Sequence, residues 1–313
     1  MQAERAWLRW VRQAAAHATT PPAELRLGIG DDAALLQPRQ GWELALTTDL
    51  LVEGVHFLRH RDSAARCGRR LATRALSDLA AMGSEPLALL VSSLYPKTLP
   101  ASWPRQLYRG LLEAGREAGA ALIGGDVAMA ARSPIVLDVI GVGQVPSGSA
   151  LTRSGARAGE RILVSGRLGE AALGRQLVHG GRPGRGAEQR RARARHQRPR
   201  ARWELGIKLR GLASAAIDLS DGLATDLHHL CRASGVGAEI AAAGLPAAPG
   251  AAGLRRALFG GEDYELLFTL PQRRRLPAFP DLHCIGVITA ARGVWLRRPD
   301  GSRLRIPDAG FEH

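Results

Sequence analysis

Apolar residues recur along this chain with two different periods. Over residues 42–49 (WELALTTD) they alternate, and the run exits through Thr47, Thr48 and Asp49, as in a half-buried strand that delivers polar side chains to a site. Over 64–82 the spacing is helical, with Leu71, Ala75, Leu79 and Met82 on one face and Gly83 closing the helix. Asp78 falls at the edge of that stripe. The same reading predicts strands over 87–95, 120–123 and 135–142 and a helix over 103–119. The first half is therefore α+β or α/β in character. A Gly- and Ser-rich stretch at 146–159 predicts a boundary, giving domains of 1–146 and 147–313. Beyond it, strands are expected over 161–165, 215–219, 265–270 and 285–288, with helices over 170–178 and 223–233. Each half has a strand running into an acidic glycine turn, but no repeat of fixed period is visible.

Composition narrows the class. The 313 residues are 45% hydrophobic and 23% charged, ordinary for a globular protein, and long enough for two cores. No apolar run reaches the length of a membrane span. The first 17 residues carry arginines and no apolar h-region, so an amphipathic helix is expected there and not a secretory signal. Cys67, Cys231 and Cys284 form no CxxC pair, which argues against a disulfide framework or zinc site and favours a reducing cytoplasm.

The net charge of +14 invites a nucleic-acid reading. However, residues 180–210 hold eleven of the basic residues against two glutamates. That segment has little apolar content before Trp203 and reads as a solvated surface loop. Nucleic-acid readers interleave basic residues with aromatics, and this stretch has Trp203 alone. Specific nucleic-acid binding is therefore not expected.

Candidate chemistry comes from eight aspartates in short turns. They occur in GIGDD (Asp31, Asp32), TTDLLVEGVHF (Asp49), LSDLAAMG (Asp78), GGDVA (Asp126), IDLSDG (Asp218, Asp221) and GGEDYE (Asp263, beside Glu262). A carboxylate beside glycine at the exit of an apolar run suits a hard cation, because the backbone can bend to aim its oxygens. Six such turns point to a polynucleate Mg²⁺ site, and a polyphosphate is the usual reason to assemble one. No GxxxxGK[ST], no GxGxxG between strand and helix, and no HRD or DFG element is present. A nucleotide bound here would be bridged to carboxylates by metal.

These motifs, in this order, resemble the thiamine-monophosphate kinases, a family in the superfamily of aminoimidazole ribonucleotide synthetase. The resemblance runs from GIGDD to GGEDYE. It implies a two-domain α/β fold whose N-terminal domain pairs in a homodimer. It also implies transfer of a phosphoryl group from ATP to thiamine monophosphate, giving thiamine diphosphate. By that resemblance Asp32, Thr47, Thr48, Asp49, Asp78, Asp126, Asp218 and Asp221 hold Mg²⁺. Gly125, Asp126, Arg153 and Ser220 contact ATP, and His56 and Glu262 touch the thiamine phosphate. No residue serves as general base. The acceptor phosphate has a second pKa of roughly 6 and is already a dianion at neutral pH. The tail IPDAGFEH lacks the family's tryptophan, so Trp295 or Phe311 is the aromatic available to thiamine. Alternatives are an aminoimidazole ribonucleotide synthetase or selenophosphate synthetase within the superfamily, and a basic RNA-binding protein outside it.

Overall fold

The structure, a computed structural model, describes residues 2–181, 186–248 and 251–310. The chain is mixed α/β and divides into two compact units. One comprises Met1–Leu79 and Ser84–Ser147, the other Ala80–Gly83 and Gly148–His313.

In chain order the first unit carries α1 (Gln2–Ala18), β1 (Leu25–Leu27), β2 (Leu35–Leu36), β3 (Trp42–Val52), α2 (Ala64–Ala81), β4 (Glu85–Pro96), α3 (Ser102–Ala118), β5 (Ala121–Ala130) and β6 (Val136–Pro146). Strands β3, β6, β4 and β5 form a four-stranded sheet in that order, antiparallel except for the parallel β4–β5 pair. Leu71, Ala75 and Leu79 of α2 are buried, as their helical spacing predicts. Helices α2 and α3 cross closely because neither has a side chain at the crossing. A Cβ on Gly110 would overlap the carbonyl oxygen of Ala65, and one on Gly68 that of Leu107.

The strand expected over 120–123 is longer than its apolar run. It continues as β5 through Gly124, Gly125 and Asp126 to Ala130. The β4–β5 register shifts between Leu89 and Leu90, and Gly125 adopts φ 147° against Val91. Two glycines let the strand pass closely and keep its ladder, so the acidic turn lies inside the strand.

The second unit contains β7 (Arg161–Ser165), α4 (Glu170–His179), α5 (Ala187–Gln197), α6 (Trp203–Leu209), β8 (Ala215–Asp218), α7 (Leu223–Ser234), β9 (Gly237–Ala241), α8 (Ala251–Phe259), β10 (Leu266–Leu270), β11 (Leu282–Thr289), β12 (Gly293–Arg297) and β13 (Arg303–Arg305). Its seven-stranded sheet has the order β13-β12-β9-β11-β7-β10-β8. Ile162, Val164, Ile217 and Leu267 pack on one face with Leu223, Leu227 and Leu258. Leu163, Ala216, Leu266 and Phe268 pack on the other with Leu205 and Leu209. Both faces are covered, which is why β7, β8 and β10 read as near-continuous apolar runs.

The arginine-rich segment corrects the expectation of a solvated loop. Residues 182–185 lie outside the described residues, but Ala187–Gln197 is a helix with Ala192, His196 and Gln197 buried. Arginine, alanine and glutamine are good helix formers, so low hydrophobicity did not exclude a helix. The arginines on this helix answer buried carboxylates. Arg191 pairs with Glu170 at 3.2 Å, and Arg195 reaches Glu265 at 3.1 Å. Arg202, beyond the helix, forks onto Glu265 at 2.5 and 2.6 Å. Small residues let α5 approach α4, since a Cβ on Gly174 would overlap the Ala192 carbonyl oxygen.

Candidate functional site

In the first unit Thr47, Thr48 and Asp49 lie inside β3 and not at its exit as expected, because the ladder to β6 continues through Leu50, Leu51 and Val52. Thr47 and Asp49 project from the β3 face that packs on α2, and the Thr47 hydroxyl donates to the Asp78 carboxylate. Arg74 donates to Asp49 at 3.2 Å. Burial raises the Asp49 carboxyl to about 6; Arg74 opposes the shift, while Asp78 and Asp138 reinforce it. Asp78 and Asp138 thus each disfavour a charged Asp49, and a cation beyond Arg74 would relieve both.

Asp138 was not picked out from the sequence. It stands opposite Leu50 and Ser92 in the ladders, and Ser92 is in turn opposite Asp126. The Thr48 hydroxyl donates to Asp138 at 2.6 Å. Adjacent residues of a strand point to opposite faces. Thr47 and Asp49 therefore serve the α2 face, and Thr48 the face of Asp138. The signal for Asp138 was a lone acid at an alternating position of an apolar strand, unmarked by glycine.

Asp32, Gly125 and Asp126, remote in sequence, line one cleft of about 920 Å³ together with Asp31, Trp7, Arg12 and Tyr108. Tyr108 meets Trp7 edge-on, with ring centroids 5.1 Å apart. His56 is buried, and its Nδ1 accepts the Val52 N–H at 3.0 Å. Its carbonyl accepts from the buried Arg70 at 3.0 Å.

In the second unit two acidic turns are joined through their backbones. The N–H of Glu262 donates to Ser220 O at 2.7 Å, and that of Tyr264 to Leu219 O at 2.9 Å. The GGEDYE turn is tight, with Glu262 and Tyr264 at φ 60° and 51°, a region side-chain-bearing residues rarely adopt. Ser220, Asp221 and Glu262 therefore belong to one loop pair, with Asp218 buried at the end of β8. Glu262 lies 3.8 Å from Arg175 and 3.6 Å from the buried His196.

Asp226, also missed in the sequence, turns back from α7 to accept the Gly222 N–H at 3.1 Å. Burial first, then Asp218 and Asp221, push its carboxyl up to about 9. Asp263 differs from the other turn aspartates, because it accepts the N–H groups of Gly169 and Ala171 and so caps α4. The Arg153 carbonyl accepts from Ser234 at 3.0 Å. The tail approaches this loop, since a Cβ on Gly310 would lie 2.5 Å from Asp221 O. Trp295 sits on β12 beneath Arg303, and Phe311 lies outside the described residues.

The first unit, a four-stranded sheet packed with helices and carrying acidic residues on its strands, has the fold of an AIR synthase-like protein. The family model for the AIR synthase related protein, N-terminal domain, matches residues 30–145. The thiamine-monophosphate kinase of Escherichia coli K12 is 39% identical over 306 residues, covering 93% of this chain and 92% of that one. The crystal structure of thiamine-monophosphate kinase from Stenotrophomonas maltophilia K279a superposes with TM-score 0.82 at 36% identity, covering 94% of this chain and 95% of that one. A structure of AaThiL complexed with AMPPCP and TMP gives TM-score 0.78 at 34% identity, covering 88% and 89%. The chain belongs to the thiamine-monophosphate kinase family.

Proposed function

We propose that this protein transfers the γ-phosphoryl group of ATP to thiamine monophosphate, yielding thiamine diphosphate and ADP. The observation that carries the reading is the convergence of Asp32, Gly125 and Asp126 on one cleft, in a chain related over nine tenths of its length to thiamine-monophosphate kinases. The AaThiL complex supports both substrates, since AMPPCP is an ATP analogue with a non-hydrolysable β–γ bridge.

The donor set fits Mg²⁺: it is all oxygen, and Asp78 and Asp138 both disfavour a charged Asp49, which Arg74 offsets only in part. Asp32, Asp49, Asp78 and Asp126, with Thr47 and Thr48, would hold ions in the first unit, and Asp218 and Asp221 in the second. Bound Mg²⁺ neutralises phosphate charge and aligns an in-line transfer. A phosphate oxygen of thiamine monophosphate forms a bond to the γ-phosphorus as the bond to the β–γ bridging oxygen breaks. The acceptor enters as a dianion, so the chain supplies no general base. Gly125, Arg153 and Ser220 contact ATP in this reading, and His56 and Glu262 the thiamine phosphate.

An exposed apolar row on its sheet supports a homodimer through the first unit. Leu44, Leu46 and Leu50 share one β3 face and are 39%, 67% and 50% exposed, an apolar row that a second copy would cover. No described helix is long and apolar enough to cross a membrane, and three free cysteines accord with a cytoplasmic site of action.

The test is to incubate the purified chain with ATP, Mg²⁺ and thiamine monophosphate. Equal yields of ADP and thiamine diphosphate are expected. ADP formation with an aminoimidazole precursor or selenide, and none with thiamine monophosphate, would overturn the assignment.

A further inference from the structure

The cleft that holds Asp32 and Asp126 also holds a cation that the carboxylate motifs do not predict. Arg12 stands on α1 one position after the buried Val11, and its side chain extends to the GIGDD turn. A Cβ placed on Gly30 would lie 2.9 Å from Arg12 Cζ and 3.0 and 3.1 Å from its two terminal nitrogens. Those near-equal distances mean that the guanidinium lies face-on over the glycine. Gly30 has φ 137°, a conformation that also favours glycine, so the turn leaves room for the guanidinium.

Two acids follow Gly30 in the sequence, and an arginine that merely neutralised them would be expected to pair with one. It does not: among the described residues, no ion pair joins Arg12 to Asp31, Asp32 or any other carboxylate. An arginine held over a glycine turn, with its donors unspent on any described residue, suits a planar or tetrahedral oxyanion, which it can grip with two parallel N–H bonds.

We infer that Arg12 is a binding residue for the polyphosphate of the nucleotide, gripping a phosphate oxygen beside the ions held by Asp32 and Asp126. This rests on the proposed function for the identity of the nucleotide, but its test does not depend on thiamine chemistry. Arg12 acts by contact with ATP and takes no proton. The charged residues that share the cleft with it are Arg9 and three acids, Asp31, Asp32 and Asp126. A cation here therefore offsets repulsion between those acids and an incoming polyanion until metal is bound.

The experiment measures AMPPCP affinity of the full-length chain in saturating Mg²⁺ by titration calorimetry, with no thiamine monophosphate present. Arg12→Ala and Arg12→Gln should each weaken AMPPCP by at least about tenfold, the scale of losing charge-assisted hydrogen bonds to phosphate. Arg12→Lys should recover part of the loss, because it restores charge without the planar fork. In turnover assays the same variants should raise KM for ATP and leave KM for thiamine monophosphate near the original value. AMPPCP affinity within twofold of the parent in folded Arg12→Gln would overturn the inference. If AMPPCP binding depends on Arg12 while no thiamine diphosphate forms, the proposed function fails and the role of Arg12 stands. If thiamine diphosphate forms normally and Arg12→Gln binds AMPPCP like the parent, the reverse holds.

Discussion

Asp263 Oδ2 accepts the N–H of Gly169 at 2.7 Å, fixing the GGEDYE turn to the start of α4. Desolvation lifts this carboxyl from 3.8 to about 7; the Gly169 and Ala171 bonds oppose the shift, and Glu265 adds to it. A raised folded pKa means that the folded chain keeps a proton the unfolded chain has already lost. Stability from this group is therefore lost as pH rises from about 4 to about 7 and is constant above that. Asp263→Asn cannot titrate. The melting-temperature advantage of the parent over Asp263→Asn should shrink between pH 5 and pH 8. An advantage that is constant, or grows with pH, would show that the carboxylate is ionised throughout.

Asp49→Asn and Asp126→Asn remove charge from different parts of the proposed metal-binding set, one against α2 and one in the cleft. Each should lower turnover by at least about a hundredfold, on the scale of losing one electrostatic contact to the transition state. Asp78→Asn should act likewise, because its carboxylate accepts the Thr47 hydroxyl and repels Asp49. Circular dichroism and melting temperature must match the parent for the comparison to count. Folded variants with near-parental turnover would remove these residues from the site.

Much of this was legible in the chain, for identifiable reasons. Strand β7 has its expected bounds, and α2 ends one residue before the expected Met82, because their periodicity and terminal glycines are local signals. The acidic turns were visible because glycine marks them. Asp138 and Asp226 were not, since each becomes notable only through the partners the fold brings: Thr48 across a ladder, and Gly222 at the turn before α7. The misreading of α5 has the same origin. Its arginines looked solvated until Glu170 and Glu265 were seen buried beneath them. Composition shows that a segment is charged, and only tertiary structure shows what answers the charge.

The α5 latch can be tested through Glu265, which is almost wholly buried and receives Arg195, Arg202 and the Ser165 hydroxyl. Removing both arginines leaves a buried carboxylate with only a hydroxyl and costs about 3 kcal/mol. Urea unfolding of Arg195→Ala/Arg202→Ala should show this loss. Adding Glu265→Gln to the double variant should recover part of it, because the uncompensated charge is then gone. Equal stability of parent and double variant would mean that α5 is held by its small apolar contacts alone.

Two glycines of the first unit separate steric overlap from backbone conformation. Gly110 is helical, and a methyl there would overlap the Ala65 carbonyl oxygen, forcing α2 and α3 apart. Gly119 caps α3 at φ 73° with nothing near its Cβ position, so a methyl there meets only the left-handed backbone penalty. Gly119→Ala should cost about 1 kcal/mol, the range for a non-glycine residue in that region. Gly110→Ala should cost more than about 3 kcal/mol, or prevent folding, since a helix crossing cannot widen without opening the core on both sides. Chemical denaturation of the two variants gives the comparison, with soluble yield as the readout if Gly110→Ala does not fold. Comparable losses at the two positions would show that α2 and α3 have freedom to part, and that the crossing is not fixed by Gly68 and Gly110.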